Sequence, residues 1–326
     1  MCMTKLIKII GIDISKETFD VAYEKKGKFI NKKYNYNDES ILTFISLIGD
    51  AHCIMESTGT YHCRLAHALY ANNISVSVVN PLSVKRFIQS MMSRTKTDKS
   101  DAIKLIEYAK AMNPKLWTPD PVYYTEVQQL LNIQEQLIKE RTSISNQLEA
   151  INMSVNKSKL GLKLLDKMLL EIAKKLDSID MELDRLIKEN NDKNIDNLQT
   201  IPGIGKKTAI ALIAYTKGME NFDNYRQVSS YFGLCPRIYQ SGTSIKGKGG
   251  ICKMGMGHIR KLLYMCACSA IRYNKSCREL YERLLLKGKA KKLALIAVAN
   301  KLLKQAFAII KSKKKYDENI NFLFAN

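Results

Sequence analysis

The sequence predicts an α/β domain, a long helical spacer and a mostly helical, basic C-terminal domain, and three observations predict it. The first 120 residues alternate short β-rich apolar runs with helical spacing. From Val127 onward apolar residues recur at heptad spacing. The last third is rich in Lys, Arg and Gly. At 326 residues, 46% hydrophobic and 25% charged, the chain has apolar surface for two or three cores and is not a disordered one.

The elements follow in order. Lys5–Ser15 is β-rich and apolar and reads as a buried strand. Asp20–Lys25 and Lys28–Asn35 read as strands around a Lys26-Gly27 turn. Asp38 or Glu39 opens a helix through Ile48; Ala51–Met55 is a strand, Tyr61–Tyr70 a helix, and Ile74–Val79 a strand closed by Asn80-Pro81. Lys99–Met112 is helical again, and Pro114, Pro119 and Pro121 mark a domain boundary. This order is that of an RNase H-like sheet: a three-stranded antiparallel meander, then two parallel strands joined through helices.

In the spacer, 121–195, Leu130, Leu137, Ile144 and Ile151 step by seven. After a break near 156–161, Leu165, Leu169, Ile172, Leu176, Ile179 and Leu183 alternate fours and threes. A coiled coil, a helical hairpin or a plain helical pair packed on its own domain all fit this spacing. The expected work is spacing and oligomerisation, as a dimer or tetramer.

The C-terminal domain, 196–326, opens on Ile201–Leu212 (IPGIGKKTAIAL), which has the form of a helix–hairpin–helix. Gly203 and Gly205 would expose backbone N–H groups at a helix start, with Lys206 and Lys207 adding charge, a sequence-independent grip on phosphate. An ordinary helix start with glycine turns is the bland alternative. Seven of the sixteen glycines fall between Gly233 and Gly257, which reads as a loop, and helices follow over 258–274, 277–286 and 290–310.

Charge locates the partner. The net charge is +21, and 21 Lys/Arg against two acids between Asn224 and Tyr316 put +19 of it in the last third. A basic half of this kind expects a polyanion, nucleic acid before an anionic membrane surface, and electrostatics cannot separate RNA from DNA. No apolar run reaches the roughly 18 residues that cross a bilayer, and Met1–Ile12 lacks the pattern of a secretory signal. The eight cysteines lie mostly in apolar contexts, and Cys266 and Cys268 form CxC, so reduced, buried thiols in a cytoplasmic protein are expected.

The acids carry the chemistry. Asp13 ends the first strand, and Glu56 follows the Ala51–Met55 strand, its neighbour in such a sheet. Asp98 and Asp101, three apart, share one helix face. Each alone reads as a cap or first-turn residue. Together, four converging carboxylates call for a cation, and oxygen ligands suit Mg²⁺ or Mn²⁺. Two such ions about 4 Å apart can stabilise the entering and leaving oxygens of a phosphodiester. Ser241 sits ahead of Lys246, Lys248, Lys253 and Arg260 in a basic loop. By spacing alone it is a turn or phosphate-contacting hydroxyl, with no histidine near it in sequence to act as base.

GIDISKETFDVAY, IMESTGTY and SRTKTDKSDA resemble the DEDD motif set of a RuvC-like transposase domain. The stretch from IPGIGKKTA through YFGLCPRIYQSGTSIKGKGGICKMGMGHIRKLL resembles the C-terminal domain of the same family, the insertion-sequence recombinases related to Piv-type DNA invertases, some guided by a structured bridge RNA. The resemblance covers essentially the whole chain. It implies that Asp13, Glu56, Asp98 and Asp101 are the metal-binding acids and that Ser241 is a nucleophile forming a covalent phosphoserine with DNA. Ser244 is the nearby alternative, and Lys253, Gly255 and Arg260 match the basic run that follows. Donor and target DNA and a guide RNA are the partners implied. Other readings are a Holliday-junction-type hydrolytic nuclease using the acids alone, an architectural nucleic-acid-binding protein, and an actin-like ATPase suggested by GIDIS.

Overall fold

The computed structural model describes residues 8–57, 59–91, 98–237, 239–241, 245–246 and 250–318; the side chains of 98–99, 240–241 and 245–246 are outside the description. Two compact units divide the chain, 1–120 and 121–326.

In the first unit, β1 (Lys8–Ile14), β2 (Thr18–Lys25) and β3 (Lys28–Asn35) form an antiparallel meander. The Lys26-Gly27 turn has positive φ at both residues, the twist that suits a two-residue hairpin. β4 (Ala51–Glu56) and β5 (Ser75–Val79) add in parallel on the other side of β1, giving the order β3-β2-β1-β4-β5. α1 (Asp38–Ile48) and α2 (Tyr61–Ala71) bury one sheet face, where Ile10, Ile12, Phe19, Val21, Phe44 and Leu65 make the core.

α3 (Pro81–Ser90) and α4 (Asp98–Met112) cover the other face, through Ile54, Val84, Leu105 and Ile106. The sequence read Asn80-Pro81 only as the end of a strand. It is a helix start: the Asn80 side chain accepts from the Leu82 N–H, and proline occupies the first turn, where its missing N–H costs nothing.

In the second unit, α5 (Val122–Met153) and α6 (Lys159–Asn190) form a helical hairpin, each arm about 48 Å long at 1.5 Å per residue. Ile144, Ile172 and Leu176 pack its outer half. Its inner half, through Val127, Leu131, Leu183 and Leu186, belongs to the same core as the C-terminal helices. Those are α7 (Lys193–Gln199), α8 (Lys206–Thr216), α9 (Tyr225–Tyr231), α10 (Gly257–Tyr273), α11 (Lys275–Leu286) and α12 (Lys291–Ser312). Every residue of α8 from Thr208 to Thr216 is buried, so it is the central helix.

Between α9 and α10 the expected loop carries four two-residue strands: β6 (Pro236–Arg237), β7 (Gln240–Ser241), β8 (Ile245–Lys246) and β9 (Gly250–Ile251). β6 pairs with β9, and β7 with β8. α12 also corrects the sequence reading of apolar runs. It is long and apolar enough to cross a membrane, but half of its most apolar stretch is buried in the core, through residues such as Val298, Leu302 and Ala306.

Buried polar groups tie the C-terminal helices together. Asn274 is fully buried: its Oδ1 accepts from the Cys277 N–H and the Ser276 hydroxyl, and its Nδ2 donates to Gln305 Oε1 at 3.1 Å. Gln305 in turn donates to Ser276 Oγ at 3.0 Å, so no member of the set lacks a partner.

Candidate active site

Backbone register places the acids. Gly11 pairs with Ile54 and Ile12 with Met55 across the parallel β1–β4 ladder, so the next step sets Asp13 beside Glu56. Neighbouring strands lie about 4.8 Å apart, and alternate residues share a face. Asp13 thus shares the face of Gly11, and Glu56 that of Ile54. Both faces are the one α4 covers: Ala102 and Ile106 pack against Ala22 beside Gly11, and Leu105 packs against Ile54.

Gly11 is what lets α4 in so close. A Cβ there would stand 1.9 Å from the Ala102 carbonyl oxygen. The residue before Ala102 is Asp101, so the contact sets the acidic first turn of α4 over the strand ends. The backbone of Asp98 opens this helix; its side chain is outside the described residues.

Two charged residues that the sequence reading passed over share this corner. Asp20 lies directly across from Asp13 in the β1–β2 ladder, on the same face, and is buried. Like charges so placed repel, and Lys33 on β3 answers at 3.6 Å from Asp20 Oδ2. The alternation of TFDVAY hints at the inward face of Asp20, but only the ladder register puts it opposite Asp13. The second is Lys104, with 8% of its side chain exposed; its ammonium stands 3.0 Å from Asp101 Oδ1 and donates to Ser100 Oγ at 3.3 Å.

Among the described residues, no three Asp, Glu, His or Cys side chains lie close enough together to hold a metal ion. The donor set nonetheless suits a hard divalent cation by type and placement, with carboxylates at two adjacent strand ends and in the first turn of the covering helix. The buried Lys104 ammonium already pairs with one of these carboxylates, that of Asp101.

In the second unit, β7 and β8 form a hairpin in which Ser241 pairs with Ile245. Ser244 and Lys248 lie outside the described residues, as do the side chains of Ser241 and Lys246. The neck of this loop is closely fitted. A Cβ on Gly233 would meet the Met254 carbonyl oxygen at 2.4 Å, and one on Gly255 the Tyr231 carbonyl oxygen at 2.2 Å. Arg260 donates to the Phe232 carbonyl at 2.9 Å, so part of its guanidinium braces the neck. Lys253 is exposed and takes a left-handed conformation, φ 58°.

The expected phosphate grip looks different in three dimensions. Gly203, φ 107°, is needed for close packing, since a Cβ would stand 2.7 Å from that of Ala270 on α10. Gly205 caps α8 in open space. Lys206 is paired with Asp184 on α6 at 2.5 Å. Burial pulls the Lys207 ammonium below its ordinary pKa, while Asp180 opposes that shift. Both lysines therefore face acids of the hairpin.

His258, at the start of α10, is the histidine that follows the serine loop. Burial lowers its pKa, and its Nδ1 lies 3.8 Å from Glu135 Oε2, with its ring edge-on to Tyr215.

Comparison with known proteins identifies the family. Residues 195–282 match the family described as "Transposase IS116/IS110/IS902 family", and residues 10–152 match the transposase family DEDD_Tnp_IS110. The pilin gene-inverting protein of Moraxella bovis is 34% identical, over 96% of this chain and 98% of that protein. A transposase for insertion sequence element IS1111A from Coxiella burnetii is 26% identical, over 96% and 92%. The transposase for element IS1328 of Yersinia enterocolitica is 25% identical, over 80% and 83%. The chain belongs to the IS116/IS110/IS902 transposase family and is a DNA recombinase of the insertion-sequence type. A DEDD domain, named for its acids, also implies dependence on a divalent cation.

Proposed function

We propose that this recombinase exchanges DNA strands through a covalent phosphoserine at Ser241, with Asp13, Glu56, Asp98 and Asp101 holding Mg²⁺ or Mn²⁺. The observation that carries the reading is the register that sets Asp13 beside Glu56 under the first turn of α4. A bound divalent cation supplies Lewis-acid stabilisation of charge on the transferring phosphoryl group. Everything else is the work of this chain's residues.

Ser241 Oγ attacks phosphorus and gives up its proton; a bond from serine oxygen to phosphorus forms as the bond to a deoxyribose oxygen breaks. That oxygen leaves as a hydroxyl after taking a proton. A hydroxyl from another strand then attacks the phosphoserine and releases the serine, so phosphodiester bonds are conserved without water. Lys246, Lys248 and Lys253 stabilise the phosphoryl charge and hold flanking backbone. Gly203 and Gly205 offer backbone N–H groups to a further phosphate, and Lys206, Lys207 and Arg260 contribute through the packing of α8 and α10.

The basic last third engages donor and target DNA and a structured guide RNA, and the chain works as a dimer or tetramer. Recovery of no defined transcript with protein purified from its native locus would remove the guide. A monomeric mass with nucleic acid bound would remove the oligomer.

The direct test is a denaturing gel of wild type, Ser241→Ala and Asp101→Asn with labelled DNA from the flanking locus, its co-transcribed RNA and Mg²⁺. A shifted, protease-sensitive band in wild type, absent from both variants, is expected. Cleaved DNA without an adduct, persisting in Ser241→Ala, would mean a hydrolytic nuclease working through the acids alone.

A further inference from the structure

The neck of the serine loop holds a feature that the recombination chemistry does not use. Cys235 and Cys252 are free thiols, both part-exposed, with Sγ atoms 3.2 Å apart. They flank β6 and β9, whose pairs are Pro236 with Ile251 and Arg237 with Gly250, so the two cysteines are the next cross-strand pair. The Cys252 N–H donates to the Cys235 carbonyl at 2.9 Å, which fixes their backbones against each other. Directly opposed residues of an antiparallel pair have Cα atoms about 4.5–5.5 Å apart, within the span a disulfide bridges.

We infer that Cys235 and Cys252 form a thiol–disulfide modification site, whose reagent is a small-molecule disulfide of the glutathione class, and that its product staples the neck of the loop carrying Ser241. The disulfide chemistry stands whether or not Ser241 is the nucleophile.

Three observations support it. The interlocked Gly233 and Gly255, the Arg260 brace and the Lys253 N–H to Gly233 carbonyl bond preset the neck, so the crosslink needs no backbone rearrangement. The Cys235 thiol donates to the Cys252 sulfur, so the two sulfurs already face each other. That same hydrogen bond raises the Cys235 pKa, which assigns Cys235 the second, resolving step. Among the other described cysteines, Cys53, Cys266 and Cys277 are buried, and burial pushes each thiol pKa up; Cys63 and Cys268 are part-exposed, but neither is in contact with a second described thiol.

The step balances as exchange. The Cys252 thiolate attacks one sulfur of the small disulfide, forming a mixed disulfide and releasing one small thiolate, which takes a proton. Cys235 then loses its proton and attacks the Cys252 sulfur, forming the internal bond and releasing the second small thiol. Two protein thiols are oxidised as one small disulfide is reduced to two thiols.

The test equilibrates the full-length protein in glutathione buffers with reduced glutathione in excess, then quenches with N-ethylmaleimide and maps peptides by mass. A Cys235–Cys252 crosslink that forms before any other cysteine reacts is expected. In Cys235→Ser, a single glutathionyl group should accumulate on Cys252 instead. The crosslinked wild type should unfold at a higher temperature than the reduced form, reversibly with dithiothreitol, because the bond closes the loop in the unfolded chain. Free, alkylated Cys235 and Cys252 where other cysteines have reacted would overturn the inference. So would a stable mixed disulfide in wild type, or a lowered midpoint on crosslinking.

Discussion

The acidic corner of the first unit and the serine loop of the second are built by opposite means. Asp13, Glu56 and Asp101 sit at the ends of regular elements, placed by ladder register and by one helix–strand contact at Gly11. Ser241 sits on a two-residue strand whose placement depends on a neck outside it: interlocked glycines, an arginine brace and a cysteine pair. The first kind of site fails when packing under it fails. The second can be altered through two part-exposed cysteines at its neck.

The largest effect should come from Gly11→Val. Its Cβ collides with backbone at 1.9 Å, so α4 must lift from the sheet, at about 3 kcal/mol, the upper end of overpacking costs. Thermal unfolding should show a lowered midpoint with the second unit's transition unchanged. Loss of both transitions together would mean that the units do not unfold independently.

Asn274→Ala comes next, and it strikes the other unit. It removes the cap on the Cys277 N–H and leaves Gln305 short of a partner, costing about 2–3 kcal/mol in denaturant unfolding. An unchanged midpoint would deny the network its role.

Lys104→Met sharpens the account of the acidic corner. Without cation, the variant should lose about 1 kcal/mol, because Asp101 forfeits its partner. With Mn²⁺ its midpoint should rise further than that of wild type, since ammonium no longer competes for Asp101. An equal rise in both would show that Lys104 and the cation do not share that carboxylate.

The smallest effect concerns pH. Burial lowers the pKa of His52 and His62 in the first unit and of His258 in the second below the ordinary 6.5. A histidine buried neutral binds fewer protons folded than unfolded, so its contribution is intact above pH 6.5 and fades as pH falls through the lowered folded value. Both transitions should weaken below about pH 6.5, and His258→Gln should blunt the decline in the second unit only. A pH-independent midpoint over that range would contradict this.

Much of the first unit was legible because local chemistry and tertiary structure agree. The Lys28–Asn35 strand and the helix ending at Ile48 fall where turn residues and spacing put them. Helix α3 was missed because Asn-Pro both ends a strand and caps a helix. Asp20 was missed because facing Asp13 is a property of the ladder, which no local pattern carries. Lys206 and Lys207 look like free cations in the sequence, yet the acids of α6 that meet them come from a helix earlier in the chain. The hairpin's heptads do not reveal that its inner half shares the C-terminal core. Strands of two residues have no periodicity to read, so β6 to β9, and the pairing of Cys235 with Cys252, became visible only in three dimensions.

The proposed cation site requires Asp13, Glu56 and Asp101 to bind one divalent ion together. Its most direct measurement is the thermal shift on adding Mn²⁺ to wild type, Asp13→Asn, Glu56→Gln and Asp101→Asn, without DNA. The account predicts a rise of the first unit's midpoint in wild type that each single variant loses. No rise in wild type, or the same rise in all four proteins, would contradict it.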